Sequence, residues 1–186
     1  KEVADTAFAV MKMYGKENFF ILNDVSGLKT DNRLGDWIKD VDKPVIVMAT
    51  HKQPGDSLGI EQTINDLTAS IELLEAKGFD TTRKAIIDPA IGHWIAEKKS
   101  PYDLELLGHL EKFRVLKKPI LVGISRKSFI GAVLNKKDPA LRLQGTLAAT
   151  AIAVYNGAHI IRTHDVIEET MDTIKLASAV RRKRLI

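Results

Sequence analysis

Five short apolar runs, at residues 19–23, 45–50, 85–88, 120–125 and 159–164, each end in polar residues and lead into a helical pattern. They recur at intervals of roughly 25 to 40 residues, the repeat of a strand plus a crossover helix, and this obliges neighbouring strands to run parallel. Helices are expected at 1–15, at 57–78 closed by Gly78, at 103–116, at 142–155 stopped by Asn156 and Gly157, and at 166–180. In the third of these, Leu104, Leu107, Leu110 and Phe113 recur at helical spacing. No linker or low-complexity stretch interrupts the pattern, so residues 1–186 read as one domain.

With 186 residues, 45% of them hydrophobic, the chain can bury a substantial core. The absence of cysteine removes disulfides and thiolate metal sites and suits a reducing cytoplasm, the expected location. No run approaches the roughly 18 apolar residues of a membrane span, and residues 1–15 read as an amphipathic helix rather than a signal peptide. No membrane partner is expected. A net charge of +4 permits an anionic ligand. The pairs Lys98-Lys99, Lys117-Lys118 and Lys136-Lys137 read as solvated surface. The cluster Arg181-Arg182-Lys183-Arg184 reads as a basic helix end complementing the helix dipole. No aromatic-interleaved basic surface accompanies it, so no nucleic-acid partner is expected.

The strand tips carry the chemistry: Asn23-Asp24, Thr50-His51, Asp88, Ser125 to Ser128, and Arg162-x-His164. In a (β/α)8 TIM barrel every strand opens its C-terminal end onto one face, where five such tips line a single site. Five units make an incomplete barrel, since a full one takes about 250 residues. An open parallel sheet with helices on both faces is the alternative. It lacks the glycine-rich fingerprint after the first strand that a dinucleotide site would need.

Asp88 ends an apolar strand before Pro89, where a partly desolvated carboxylate needs a paired N–H donor on a ligand or an internal cation. A structural ion pair or turn cap is the other reading. Asn23 can donate and accept toward a heterocycle edge, or simply open a turn with Asp24. Arg126 and Lys127 sit at a strand-to-helix junction, where the dipole disfavours cations unless an anion compensates, with a surface role for both the other reading. Arg162 and His164 alternate along a strand end and so project to one side, suited to a phosphate grip, with a satisfied turn histidine the other reading of His164. His51, His93 and His109 lack helical partners at ligand spacing, so no metal site is expected.

Taken in order, Ile21-Leu22-Asn23-Asp24-Val25-Ser26-Gly27, Ile86-Ile87-Asp88-Pro89, Gly123 to Gly131 with its Ser125-Arg126-Lys127-Ser128 core, Arg142-Leu143-x-Gly145-Thr146, and Gly157 to Val166 resemble the dihydropteroate synthase family. The resemblance spans essentially the whole chain and includes archaeal-type variants. It implies a TIM barrel represented here by its fourth to eighth strands, with the first three units absent. It implies condensation of a dihydropterin methyl diphosphate with 4-aminobenzoate, or a derivative, with release of pyrophosphate, in folate or methanopterin-type cofactor synthesis. By the same resemblance Asn23, Asp88 and Lys127 hold the pterin, and Ser128 and Arg126 meet the arylamine. Arg162 and His164 hold the diphosphate, with Lys127, Arg162 and His164 as the catalytic set. A Mg2+ ion, whose ligand loop this chain lacks, and a homodimer are implied too.

Two segments depart from the family pattern. Met48-Ala49-Thr50-His51-Lys52 replaces a Met-His-Met run, and Ala90-Ile91-Gly92-His93-Trp94-Ile95 replaces a glycine and phenylalanine-rich loop ending in lysine. Both fall on the arylamine side, which points to a modified acceptor such as a ribosylated arylamine. Two rival functions are a pterin-binding methyltransferase, which needs the ring site but no diphosphate grip, and a non-catalytic barrel fragment with unpaired edges. Low activity is expected of the chain alone.

Overall fold

The computed structural model describes residues 1–184. Strands β1 (Leu22–Asp24), β2 (Val45–Met48) and β3 (Ala85–Asp88) pair in parallel in that order, and β4 (Leu121–Val122) pairs in parallel with β5 (Ile160–Ile161). A parallel bridge between Ile87 and Ile120 joins the two groups, with the Ile87 N–H donating to the Pro119 carbonyl at 2.9 Å. The strands therefore lie side by side in chain order. With right-handed crossovers, such an order puts every connecting helix on the same face, whereas a doubly wound sheet must reverse its order at a switch point. The chain is an arc of barrel-type units, and the open two-faced sheet is set aside.

The helices are α1 (Glu2–Met13), α2 (Asn32–Val41), α3 (Gly59–Ala76), the single turn α4 (Thr81–Lys84), α5 (Ser100–Gly108), α6 (Ser128–Leu134), α7 (Leu143–Asn156) and α8 (Glu168–Arg184). Because side chains alternate along a strand, Val45, Val47, Ala85, Ile87, Ile120 and Val122 all enter the layer beneath the helices and are almost completely buried. There they join Leu67, Leu106, Leu110, Phe113 and Ala153. Asn23, Ile46 and Ile86 are in register on the opposite, inner face, with Asn23 exposed and the two isoleucines half-buried. Farther along the same face Met48 and Asp88 are buried. The inner face is thus bare at the start of the strands and covered at their ends.

Several expectations change. The first strand begins at Leu22 rather than residue 19, because Glu17–Phe19 is a 3-10 turn and Phe20 packs edge-on against Phe8 and Trp37. Helix α2 was not anticipated. Its apolar Leu34, Trp37, Ile38 and Val41 follow helical spacing, and Asp31 caps it by accepting the Arg33 N–H, but Asp36, Lys39 and Asp40 between them mask the pattern. The helix expected at 103–116 breaks at His109 into α5 and a 3-10 segment, Leu110–Leu116. Its buried face is Asp103, Leu106, Leu107 and Leu110, leaving Leu104 exposed.

Two lysines expected in solvent are not. Lys98 is fully buried, and the Lys118 side chain is 8% exposed, donating to Thr81 Oγ1 at 2.9 Å. At the basic C-terminal cluster, Arg181 donates to the Val154 carbonyl at 3.3 Å, helping to satisfy the end of α7, and to the Ala158 carbonyl at 2.9 Å, while the Arg184 side chain lies outside what is described. No helix among the described residues is long and apolar enough to cross a membrane.

Candidate active site at the carboxyl ends of the strands

Asp88 terminates β3 with 5% exposure, and its Oδ1 accepts the Ala90 N–H at 2.8 Å. Pro89 between them supplies no N–H, so the chain turns sharply and Ala90 adopts a left-handed φ of 58°. Burial raises the Asp88 pKa above its ordinary value, while the Ala90 N–H and the charges of Lys127, Arg162 and Lys98 pull the other way. Three cations from three different segments therefore bear on one buried carboxylate.

Lys127 enters from the residue before α6. Its Nζ donates to the Ile91 carbonyl and lies 5.5 Å from the centre of the Trp94 ring. Gly92 makes room for it, since a Cβ there would stand 2.7 Å from the ammonium. Burial lowers the Lys127 pKa, opposed by Asp88 and reinforced by Arg162. Arg162 follows β5 on the inner face, opposite Gly123. A Cβ at Gly123 would fall 2.9 Å from the guanidinium, so the glycine is a seat for Arg162 rather than a hinge. Gly123, Ser125, Lys127, Arg162, Thr163 and His164 enclose a cleft of about 310 Å³.

His164 is oriented by Ser125, whose Oγ lies 3.1 Å from Nδ1 and 3.3 Å from the His164 N–H. The outer nitrogen, Nε2, is left for a ligand. Ser125 is in turn 3.4 Å from Asp165, the carboxylate that accepts Arg126 Nε at 2.9 Å. Arg126 is held away from the cleft by that ion pair and by its own backbone. Its φ is 56°, its N–H donates to Thr146 Oγ1, and its carbonyl accepts from Arg142. Adjacent cations thus part company, Lys127 turning inward and Arg126 to Asp165. Ser128, the first residue of α6, is exposed.

Asn23 is placed apart. It shares the inner face with Asp88 but lines a separate groove along β1 with Asp24, Leu22 and Ala4. The turn that follows belongs to Asp24, which accepts Ser26 N–H, Ser26 Oγ and Leu28 N–H, so Asn23's carboxamide takes no part in it.

Sequence reasoning missed three residues. Lys98 Nζ donates to the Ala90 carbonyl at 2.8 Å and the Gly55 carbonyl at 3.2 Å, and burial lowers its pKa to about 8. Asp103 Oδ1 accepts the Gly92 N–H at 2.6 Å, while its Oδ2 is buried with no partner. Trp94 packs over Gly55, whose Cβ would come within 2.2 Å of the ring. A carboxylate on the apolar face of α5 was a legible sign for Asp103. Nothing local separates Lys98 from Lys99.

The profile of the pterin binding enzyme family matches residues 2–164. The chain belongs to that family. It is 34% identical over 178 residues to a bifunctional dihydropteroate synthase/dihydropteroate reductase of Helicobacter pylori, covering 92% of this chain and 45% of that protein. A probable bifunctional folylpolyglutamate synthase/dihydropteroate synthase of Haloferax volcanii is 37% identical over 168 residues, covering 87% of this chain and 19% of that one. The crystal structure of dihydropteroate synthase from Clostridium difficile in the presence of pteroic acid superimposes with a TM-score of 0.79 at 31% identity, over 95% of this chain and 64% of that one. The fold is accordingly TIM-barrel-like. The chain spans less than two thirds of each of these relatives.

The family resemblance also implied Mg2+. Among the described residues no three His, Asp or Glu side chains converge to hold a metal ion. The cleft presents Lys127, Arg162 and His164 and no carboxylate, a lining that suits an anion rather than Mg2+, and the steps proposed for this chain run through its own side chains.

Proposed function

We propose that this chain supplies the fourth to eighth strands of a dihydropteroate synthase, joining a dihydropterin methyl diphosphate to 4-aminobenzoate or a derivative of it. The observation that carries the reading is the convergence of Asp88, Lys127 and Arg162, which come from three separate strand ends yet bear on one another electrostatically. Asp88 offers a carboxylate to the paired N–H donors of the pterin's amino-pyrimidine edge, a geometry that rewards a fixed, desolvated acceptor. Lys127 faces the pterin carbonyl. Asn23, on the same inner face, orients the ring from the β1 side.

The carbon–oxygen bond to the diphosphate breaks with its electron pair leaving on oxygen, and the resulting cation is delocalised into the pterin. Charge therefore grows on the leaving group, where Arg162 and His164 sit, and fixed donors at that place lower the barrier. The arylamine nitrogen then bonds to the carbon and releases a proton. Ser128 receives the arylamine carboxylate, while Arg126 reaches it only by giving up Asp165. A methyl-transferring pterin enzyme needs no diphosphate grip, so the cleft of Lys127, Arg162 and His164 favours the synthase. Association as a homodimer fits the apolar groove between α7 and α8, lined by Ile152, Leu176 and Val180, all substantially exposed.

The test is calorimetric titration of pyrophosphate into wild type and Arg162→Ala, with pyrophosphate release measured when both substrates are present. Weakened binding in the variant is expected. Equal affinity in the two proteins removes the diphosphate site and the reading with it.

A further inference from the structure

The synthase reading leaves unused the most deeply buried cation among the described residues. Lys98 has no exposed surface and does not reach the cleft. A lysine so placed needs hydrogen-bond acceptors and an opposing charge in its surroundings. Two of its three donors meet carbonyls, those of Ala90, in the left-handed turn beside Asp88, and Gly55, in the loop after β2, while Asp103 opposes the charge. The two peptide groups flanking Ala90 are therefore both held, its carbonyl by Lys98 and its N–H by the Asp88 carboxylate. Ala90 is 1% exposed at a φ of 58°, a conformation that a residue with a Cβ adopts only when its surroundings impose it.

The same ammonium also ties two loops together. Gly55 carries the ring of Trp94 directly against its Cα, and that ring faces Lys127. The next peptides along are held as well, Ile91 by Lys127 and Gly92 by Asp103. We propose that Lys98 is a positioning residue, whose bonds to the Ala90 and Gly55 carbonyls fix the turn that aims Asp88 at the pterin. The inference rests on the pterin-binding reading of Asp88. It adds a residue that acts through the backbone and never touches substrate.

The groups bearing on Lys98 are Asp103 from α5, Asp88 from β3, Asp56 from the loop after β2 and Lys127 before α6, with His93 bonded to the Lys98 carbonyl at 2.9 Å. Loss of the Lys98 proton near pH 8 weakens both carbonyl bonds, so the pterin should loosen on the alkaline side while diphosphate binding holds. Arginine at this position keeps its charge throughout.

The experiment measures dissociation constants of 6-hydroxymethylpterin diphosphate and of pyrophosphate alone, from pH 7 to 9.5, for wild type, Lys98→Met and Lys98→Arg. The expected result is about a tenfold loss of pterin affinity in K98M at pH 7 with pyrophosphate affinity unchanged. The ratio of wild-type to K98R pterin affinity should fall through pH 8, a comparison that cancels any titration of the ligand. Adding Ala90→Gly to K98M should recover part of the loss, because glycine accepts the turn freely. Equal loss of both ligands in K98M, or a K98R ratio flat with pH, overturns the inference. The K98R comparison stands even where K98M does not fold. A wild type that binds no pterin at any pH sinks the synthase reading itself, whereas a wild type that binds pterin with a flat ratio sinks only the role of Lys98.

Discussion

The two ends of the strand arc carry residues of the same proposed site in opposite conditions. Around β3, β4 and β5, each strand has a neighbour to deliver an opposing side chain, and Asp88 meets Lys127 and Arg162 with Lys98 behind. Along β1 the only strand partner among the described residues is β2, and Asn23 looks across an open groove. Both residues occupy the inner face, Asn23 level with Ile86 and Asp88 two residues farther along, so the difference is not one of aim. It lies in what faces them. A strand tip becomes a site only when other tips curve toward it, as barrel closure requires.

The largest effect should come from Asp88→Ala, which removes the buried carboxylate proposed to accept from the pterin. Loss of a charge-assisted pair leaves the pterin's donors unmatched, and an affinity drop of about 100-fold, or ~3 kcal/mol, is expected by titration. Asn23→Ala offers only neutral hydrogen bonds and should cost about 1 kcal/mol, roughly fivefold. Equal losses at the two positions would break the contrast between the closed and open ends. Next comes Arg162→Ala, which should weaken pyrophosphate about 30-fold, close to 2 kcal/mol, while leaving a pterin without phosphate nearly unaffected.

Lys98 sharpens the comparison through stability. Its folded pKa, about 8, lies below its ordinary value of 10.5, so between these pH values the unfolded chain holds a proton that the folded chain has released. Folding is then favoured as pH rises, with a slope approaching 1.4 kcal/mol per unit within that window. Below pH 8 both states are protonated and the slope vanishes. Urea unfolding at pH 7 and 9 should therefore show wild type gaining about 1 kcal/mol relative to Lys98→Met. An unchanged difference would mean that Lys98 is not held as a buried charge.

The arc was legible because its signals are local. A strand period broken by polar tips reports parallel units, and Asp88-Pro89, Ser125 to Ser128 and Arg162-x-His164 fall at those tips whatever the helices do. Strand lengths were less legible: only two residues pair at β4 and at β5, since Gly123 to Ser128 and Arg162 to Asp165 leave the ladder to build the cleft. Lys98 and Trp94 were invisible for a different reason. Both meet Gly55 in the loop after β2, more than 35 residues earlier in the chain, and no local pattern marks a lysine that will be enclosed between the Gly55 and Ala90 carbonyls. Arg126 and Lys127 show the same limit at close range, because αL geometry at Arg126 decides which of two adjacent cations faces the ligand.

That geometry sets the smallest expected effect. Arg126→Ala removes a cation one residue from Lys127, and a reading based on charge near the cleft alone would give it a large loss of pyrophosphate affinity. The guanidinium is instead occupied by Asp165, which lowers the carboxylate's pKa and holds it ionised beside Ser125. Without its partner, Asp165 stays charged at neutral pH but loses the compensating cation, so its field reaches Ser125 and the His164 that Ser125 orients. The expected change is below threefold, within the range of a screened surface pair. It should shrink further as salt rises from 50 to about 500 mM, since exposed charges are screened over roughly 4 Å at such ionic strength. A loss as large as that of Arg162→Ala would instead place Arg126 on the ligand, and the division between the two neighbouring cations would have to be redrawn.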